Sequence, residues 1–154
     1  MKIPNAALAY REATSLGASP VGIVVLLYDR LAQDIHAAIA AMRSNQVETR
    51  GVSINHALLI LQQLQGKLDF AAGGTAARQL DAFYSHIRAK LLEAQIRQSS
   101  ELLLAQAQAI AKVRESWAEV ERNTAQTGVA VPPGTPDAPG AGAGAGAPAL
   151  NLGA

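Results

Sequence analysis

The 154-residue chain contains no cysteine, few aromatic residues and few charges. Without cysteine it can form neither a disulfide framework nor a thiolate metal site, which fits a reducing compartment. Aromatic residues make up 4% of the chain and charged residues 16%, and the formal net charge is only +1. Because a nucleic-acid binder normally carries a basic face, we expect no nucleic-acid partner.

Long apolar segments are also missing. The longest strongly apolar run covers residues 21–28, whereas about 20 residues are needed to cross a bilayer. A signal peptide needs a continuous apolar core, but Arg11 and Glu12 interrupt the start of the chain. We therefore expect a cytoplasmic protein, located in the cytosol, with no membrane insertion.

What the chain does contain is helical periodicity. Apolar residues make up 49% of it, and four stretches carry them at spacings of three and four, which is typical of helices packed on one face. Ser19-Pro20 is a strong helix start, and Ser44-Asn45 ends the first stretch. The second stripe ends before Gly73-Gly74 and the third near Gln98-Ser99. With short connections, the pattern predicts an all-α, antiparallel up-down-up-down four-helix bundle.

The composition changes sharply near residue 123. In residues 124–154, 21 of 31 residues are Gly, Ala or Pro, too little apolar surface to offset the entropy of ordering. We predict a short N-terminal capping segment (residues 1–18), a bundle domain (19–123) and a disordered tail (124–154). The Gly-Ala alternation in the tail mimics a phosphate loop, but no strand precedes it, so we expect no phosphate site.

Catalytic and metal-binding patterns are not evident. Di-iron bundles use Glu-x-x-His pairs, and no Glu here is followed by His three residues later. His36, His56 and His86 fall on three different predicted helices with no carboxylate at i+3 or i+4. We expect no enzyme activity, no cofactor and no metal. Asp29 is expected to be a surface acid that pairs with Arg30 or with a residue one turn away.

Three short runs carry more apolar side chains than a bundle interior needs: residues 23–27, 58–61 and 102–104. Four consecutive helical residues span about 300° of arc, so some of these side chains must face away from the core. Large exposed apolar patches usually mark partner sites; the alternative is that Leu59 and Ile60 merely lie at helix–helix boundaries. The segment with Leu8 and Tyr10 could cover a groove, or it could be a frayed terminus.

These landmarks match one known family. The opening of its members is similar to Ala9-Tyr10, Ala18-Ser19-Pro20 and Leu27-Tyr28-Asp29, in this order. Further along the chain, the match continues with Leu68-Asp69, Gly73-Gly74, Leu80, Phe83, Tyr84, Leu92-Glu93-Ala94 and Val113-Arg114-Glu115-Ser116-Trp117. Over about residues 6–122 the chain resembles the flagellar secretion chaperone FliS family.

The resemblance implies a cytosolic, non-enzymatic export chaperone. Such a protein binds the disordered C-terminal region of flagellin, prevents premature polymerisation and keeps its cargo competent for flagellar type III secretion, in which the complex is delivered to the export gate. We expect the free protein to be a monomer or a weak homodimer. The candidate partner-binding residues are Leu8, Tyr10, Ile23, Tyr28, Leu59, Ile60, Tyr84 and Leu104.

Three other interpretations of the surplus apolar surface stay open at this point. One is another helical adaptor or secretion chaperone with a different cargo. A second is a homodimeric structural bundle that covers its own patches, and a third is a metal-dependent bundle enzyme. Since the part of the chain before residue 124 has a net charge of only +2, cargo binding should depend weakly on salt.

Overall fold

The structure, a computed structural model, describes residues 19–127. Within that range it contains four α-helices and no strand: α1 Pro20–Arg43, α2 Val47–Gly66, α3 Phe70–Arg97 and α4 Ser100–Thr127. The all-α prediction with four helices is confirmed. Helix α4 runs past the expected boundary at residue 123, and the predicted capping segment and residues 128–154 lie outside the described residues.

Short polar side chains begin three of the helices. The Ser19 hydroxyl accepts a hydrogen bond from the Gly22 amide at 2.9 Å, and Pro20 occupies the first helical position. The first amides of a helix have no partner inside it: Ser19 accepts a hydrogen bond from one of them, and Pro20 has no amide hydrogen. The predicted start of α1 is therefore confirmed. Asp69 caps α3 and Ser99 caps α4 in the same way.

Helix α1 packs closely along both α2 and α4, whereas α3 approaches α2 and α4 over fewer positions. Two polar contacts join α1 to α4, and the residue that comes earlier at α1 pairs with the residue that comes later in α4. Ser19, before α1, hydrogen bonds to Glu121 late in α4, and Asp29 pairs with Arg114 earlier in α4. The up-down-up-down order of all four helices stays a prediction. None of the described helices combines the length and apolarity needed to span a membrane.

The predicted apolar stripes form the core. The third stripe is completely buried, and it consists of Leu80, Tyr84, Ile87, Leu91 and Ala94. Most members of the other three stripes are buried as well. Met42, Leu58, Leu68 and Val120 are only partly buried at the edge of the core. The largest completely buried side chains are Trp117 on α4, Tyr28 on α1 and Tyr84 on α3, and leucines and isoleucines of α1, α2 and α3 follow them in size.

The boundary between the second and third helices differs from the prediction. Helix α2 already ends at Gly66, and Gly73-Gly74 lies inside α3 instead of closing α2. The Asp69 carboxylate accepts a hydrogen bond from the Ala72 amide. This cap starts α3 before the two glycines. Gly74 has non-helical backbone angles, and its φ of +53° is a conformation that glycine adopts without a Cβ clash, so a kink at this residue separates a short first segment of α3 from the long second one.

Two glycines in this bundle should respond oppositely to alanine. Gly74→Ala forces a side chain into the left-handed region and should lower the free energy of unfolding by about 1–2 kcal/mol. Gly51 lies inside α2 with open space where a Cβ would point. Gly51→Ala should therefore raise the free energy of unfolding by about 0.5–1 kcal/mol. Urea unfolding followed by circular dichroism measures both; equal effects would contradict the assigned backbone of Gly74.

Candidate partner-binding groove

Each of the three apolar runs leaves one leucine exposed. The exposed fractions are 41% for Leu26, 43% for Leu59 and 37% for Leu104. Their neighbours in the runs are buried or half-buried, so the surplus of apolar side chains predicted from the sequence is present on the surface. The other large exposed apolar residues in the described range are Val47, Phe70, Leu92 and Ile96.

One of these leucines lies in a groove between α2 and α3. The groove has a volume of about 460 Å³ and is lined by Asn55, Leu58, Leu59, Gln62 and Arg88. Its four α2 residues recur at spacings of three and four, which brings their side chains together along one side of the helix. Leu58 also packs against the core, so the groove has an apolar wall that rests on the rigid interior.

The two ends of the α2–α3 groove differ. Towards the C-terminal end of α2, the Gln65 amide donates hydrogen bonds to Asp81 at 2.9 Å and to Ser85 at 3.2 Å. Towards the C-terminal end of α3, Leu92 and Ile96 follow Arg88 at four and eight residues, and they are 44% and 82% exposed. Because residues four apart lie on one helix face, Leu92 lies beside Arg88, one turn further along α3.

The structure separates the predicted partner-binding residues into three groups. Leu59 and Leu104 are exposed, and only Leu59 of the two lines the α2–α3 groove. Leu8 and Tyr10 lie outside the described residues. Buried in the core are Ile23, Tyr28, Ile60 and Tyr84. These four have too little free surface to contact a partner while the bundle keeps this arrangement.

Ile60 shows why neighbours in one apolar run differ so much. It follows Ala57 by three residues and precedes Leu64 by four, and all three side chains are buried on the same face of α2. Leu59 is rotated by about 100° from Ile60 around the helix axis, which turns its side chain outwards. The helix-boundary alternative therefore does not describe Ile60, which lies in the core, whereas Leu59 does lie at the boundary between α2 and α3.

Two tyrosines connect α1 and α3 through the interior. Their hydroxyl groups lie 2.8 Å apart in a buried hydrogen bond between Tyr28 and Tyr84. The rings meet edge to face with centroids 6.2 Å apart. Burial raises the pKa of Tyr28 far above its usual range, so the hydroxyl stays uncharged. The pair satisfies two polar groups that would otherwise be costly inside the bundle.

Asp29 pairs with a different residue from the one predicted. Instead of Arg30 or a neighbour one turn away, it accepts two hydrogen bonds from Arg114 on α4, at 2.8 and 3.3 Å. Hydrogen bonding to Asp29 raises the pKa of Arg114. The partly exposed pair joins α1 to α4 through two charge-assisted hydrogen bonds.

A buried acid–base pair joins α1 and α2. The Asp34 carboxylate contacts Nδ1 of His56 at 2.5 Å, and both residues are buried. The sequence pattern gives His56 no partner at i+3 or i+4, because its carboxylate lies on another helix. A signal was available: Asp34 follows the core residue Leu31 by three positions. His36 and His86 are exposed, and no three potential metal ligands converge in residues 19–127.

The Asp34 carboxyl should make stability depend on pH. Burial raises its pKa, and His56 and Arg30 only partly oppose this shift. Because the folded state then holds the proton more tightly than the unfolded state, this carboxyl lowers stability as pH rises. Asp34→Asn does not ionise. The free energy of unfolding of the Asp34→Asn protein, minus that of the unchanged protein, should therefore increase as the pH rises from about 4 to 7.

Urea unfolding of both proteins at several pH values measures that difference. Glu119→Gln serves as the control, since Glu119 is an exposed acid on α4. If the relative stability of Asp34→Asn fell with rising pH, attraction between Asp34 and His56 would outweigh the cost of burying the carboxylate, against our expectation.

Comparison with known proteins agrees with the resemblance noted in the sequence. The family model described as "Flagellar protein FliS" matches residues 3–124, which include all but the end of the described bundle. The chain is also similar to the flagellar secretion chaperone FliSB of Pseudomonas aeruginosa. The two are 29% identical over 106 residues, which cover 69% of this chain and 84% of that protein. This chain therefore belongs to the FliS family of flagellar proteins.

Proposed function

We propose that this protein is a cytosolic export chaperone for flagellin. In this proposal it binds the disordered C-terminal region of flagellin, prevents premature polymerisation and delivers the cargo to the flagellar type III export gate. Membership of the FliS family and the similarity to a flagellar secretion chaperone support a chaperone role. The observation that carries the choice of site is the leucine-lined α2–α3 groove.

A disordered cargo explains why the protein needs exposed apolar surface. Such a cargo loses conformational entropy when it binds, so the complex must bury a large area, typically on the order of 1,000–3,000 Å². The α2–α3 groove with Leu58 and Leu59 offers apolar surface for an amphipathic segment, and Leu92 adds an exposed apolar side chain one turn beyond Arg88. Leu104 on α4 offers a second contact for a cargo that wraps around the bundle.

The proposed chaperone action depends on covering apolar side chains of the cargo. A cargo segment that places its apolar side chains on Leu59 cannot offer them to another flagellin molecule. The segment before Ser19, with Leu8 and Tyr10, is proposed to cover part of the exposed surface in the free protein. The buried candidates Ile23, Tyr28, Ile60 and Tyr84 belong to the core of the bundle.

Flagellin from the same organism tests the proposal. Purified chaperone should retain intact flagellin in a pull-down and delay its polymerisation at equimolar concentration. Flagellin lacking its C-terminal segment should not be retained. Equal retention of both flagellins would place the contact elsewhere on flagellin, and retention of neither would favour a helical adaptor for a different cargo. Sedimentation analysis of the free protein supplies the control for self-association.

A further inference from the structure

Arg88 carries the only charge among the side chains that line the α2–α3 groove; the other four are two leucines and two amides. It is half-buried, and among residues 19–127 no hydrogen bond or ion pair is observed for its guanidinium. The nearest acid before it on α3, Asp81, accepts a hydrogen bond from Gln65 instead. No acidic residue lies three or four positions from Arg88 on the helix.

A guanidinium beside leucines favours one kind of ligand. Partial burial removes some of its water, so a carboxylate that docks there gains charge-assisted hydrogen bonds in a medium of lower dielectric constant. The planar group can hold both carboxylate oxygens at once, which a lysine cannot do. A basic residue on the ligand would instead meet an uncompensated like charge.

We propose that Arg88 selects cargo segments that carry an acidic residue next to their apolar stripe. The occupant is an amphipathic helix of the secreted cargo. Its apolar side chains lie on Leu58, Leu59 and Leu92, and its Asp or Glu pairs with Arg88. This inference rests on the proposed function, and it adds a charge requirement to a groove otherwise recognised by apolar contact. The pairing fixes the register of the helix, because apolar contacts alone permit it to slide.

Another role for Arg88 would be to cover the leucines with its aliphatic stem. That role predicts no preference for the sign of a ligand's charge. Charge preference, measured with matched ligands, therefore separates the two roles without reference to overall affinity.

Two synthetic amphipathic peptides provide the test. They share one leucine stripe and differ at one position beside it, which holds Glu in one peptide and Lys in the other. Fluorescence anisotropy with the full chain should show about 5- to 30-fold tighter binding of the Glu peptide. Arg88→Gln should remove this preference, and Arg88→Glu should reverse it.

Arg78→Glu is the control, because Arg78 is an exposed arginine on the same helix that does not line the groove. It should leave the preference unchanged, and circular dichroism should show that all variants remain folded. Equal binding of both peptides to the unchanged protein would overturn the Arg88 proposal while leaving cargo binding in place. Failure of both peptides to bind, while a flagellin C-terminal peptide does bind, would also overturn it. If the flagellin peptide failed as well, the proposed function itself would fall.

Discussion

Ile60→Asp is expected to unfold the bundle. The Ile60 side chain is completely buried in α2 between core residues of the same stripe. An aspartate there would either bury a carboxylate without a partner or force the helix out of the core. The expected loss in free energy of unfolding exceeds about 4 kcal/mol, a large part of the 5–15 kcal/mol typical of a domain.

Circular dichroism at 222 nm and urea unfolding measure this loss. Ile60→Val is the matched control, which removes one methyl group and should cost only about 0.5–1.5 kcal/mol while keeping the helices intact. A folded Ile60→Asp protein of near-normal stability would show that Ile60 lies at the surface, and the assignment of the α2 core face would be wrong.

Leu59→Asp, unlike Ile60→Asp, should leave the fold intact and weaken cargo binding. Leu59 is 43% exposed and lines the α2–α3 groove, so the fold should lose less than about 1 kcal/mol, mainly through helix propensity. A bound cargo would lose an apolar contact and would have to cover a carboxylate. Together these effects should cost about 2–4 kcal/mol, or roughly 30- to 1,000-fold in affinity.

Leu26→Asp provides the comparison for that experiment. Leu26 has almost the same exposure, 41%, but lies on α1 and does not line the groove. Its substitution should weaken flagellin binding by much less than Leu59→Asp. Equal losses from the two variants would mean that binding follows general surface hydrophobicity, and would contradict a specific role for the α2–α3 groove.

Much of the fold could be predicted because local signals agree with the packing. Ser19-Pro20 starts α1 both through its hydroxyl cap and through the proline backbone, and the stripe after it is buried as the spacing requires. The α2–α3 boundary was predicted less well. Two adjacent glycines usually end a helix, but the Asp69 cap starts α3 earlier and Gly74 bends it.

The candidate site was harder to predict because it depends on the angle between neighbouring helices. The run at residues 58–61 indicated that some apolar side chains must be exposed, and Leu59 is one that is exposed. Its neighbour Ile60 was assigned to the same surface, although the spacing from Ala57 and Leu64 places it in the core. Arg88 and the Asp34–His56 pair were not identified, since each acts with residues of another helix that are distant in sequence.

Titration calorimetry with a peptide of the flagellin C-terminal region tests the central claim most directly. The full chain should bind this peptide saturably at one-to-one stoichiometry, with a negative heat-capacity change from buried apolar surface. Leu59→Asp should abolish or strongly weaken binding, while Leu26→Asp should largely retain it. No saturable binding by the unchanged chain, or equal binding by the unchanged and Leu59→Asp proteins, would contradict a flagellin-binding groove between α2 and α3.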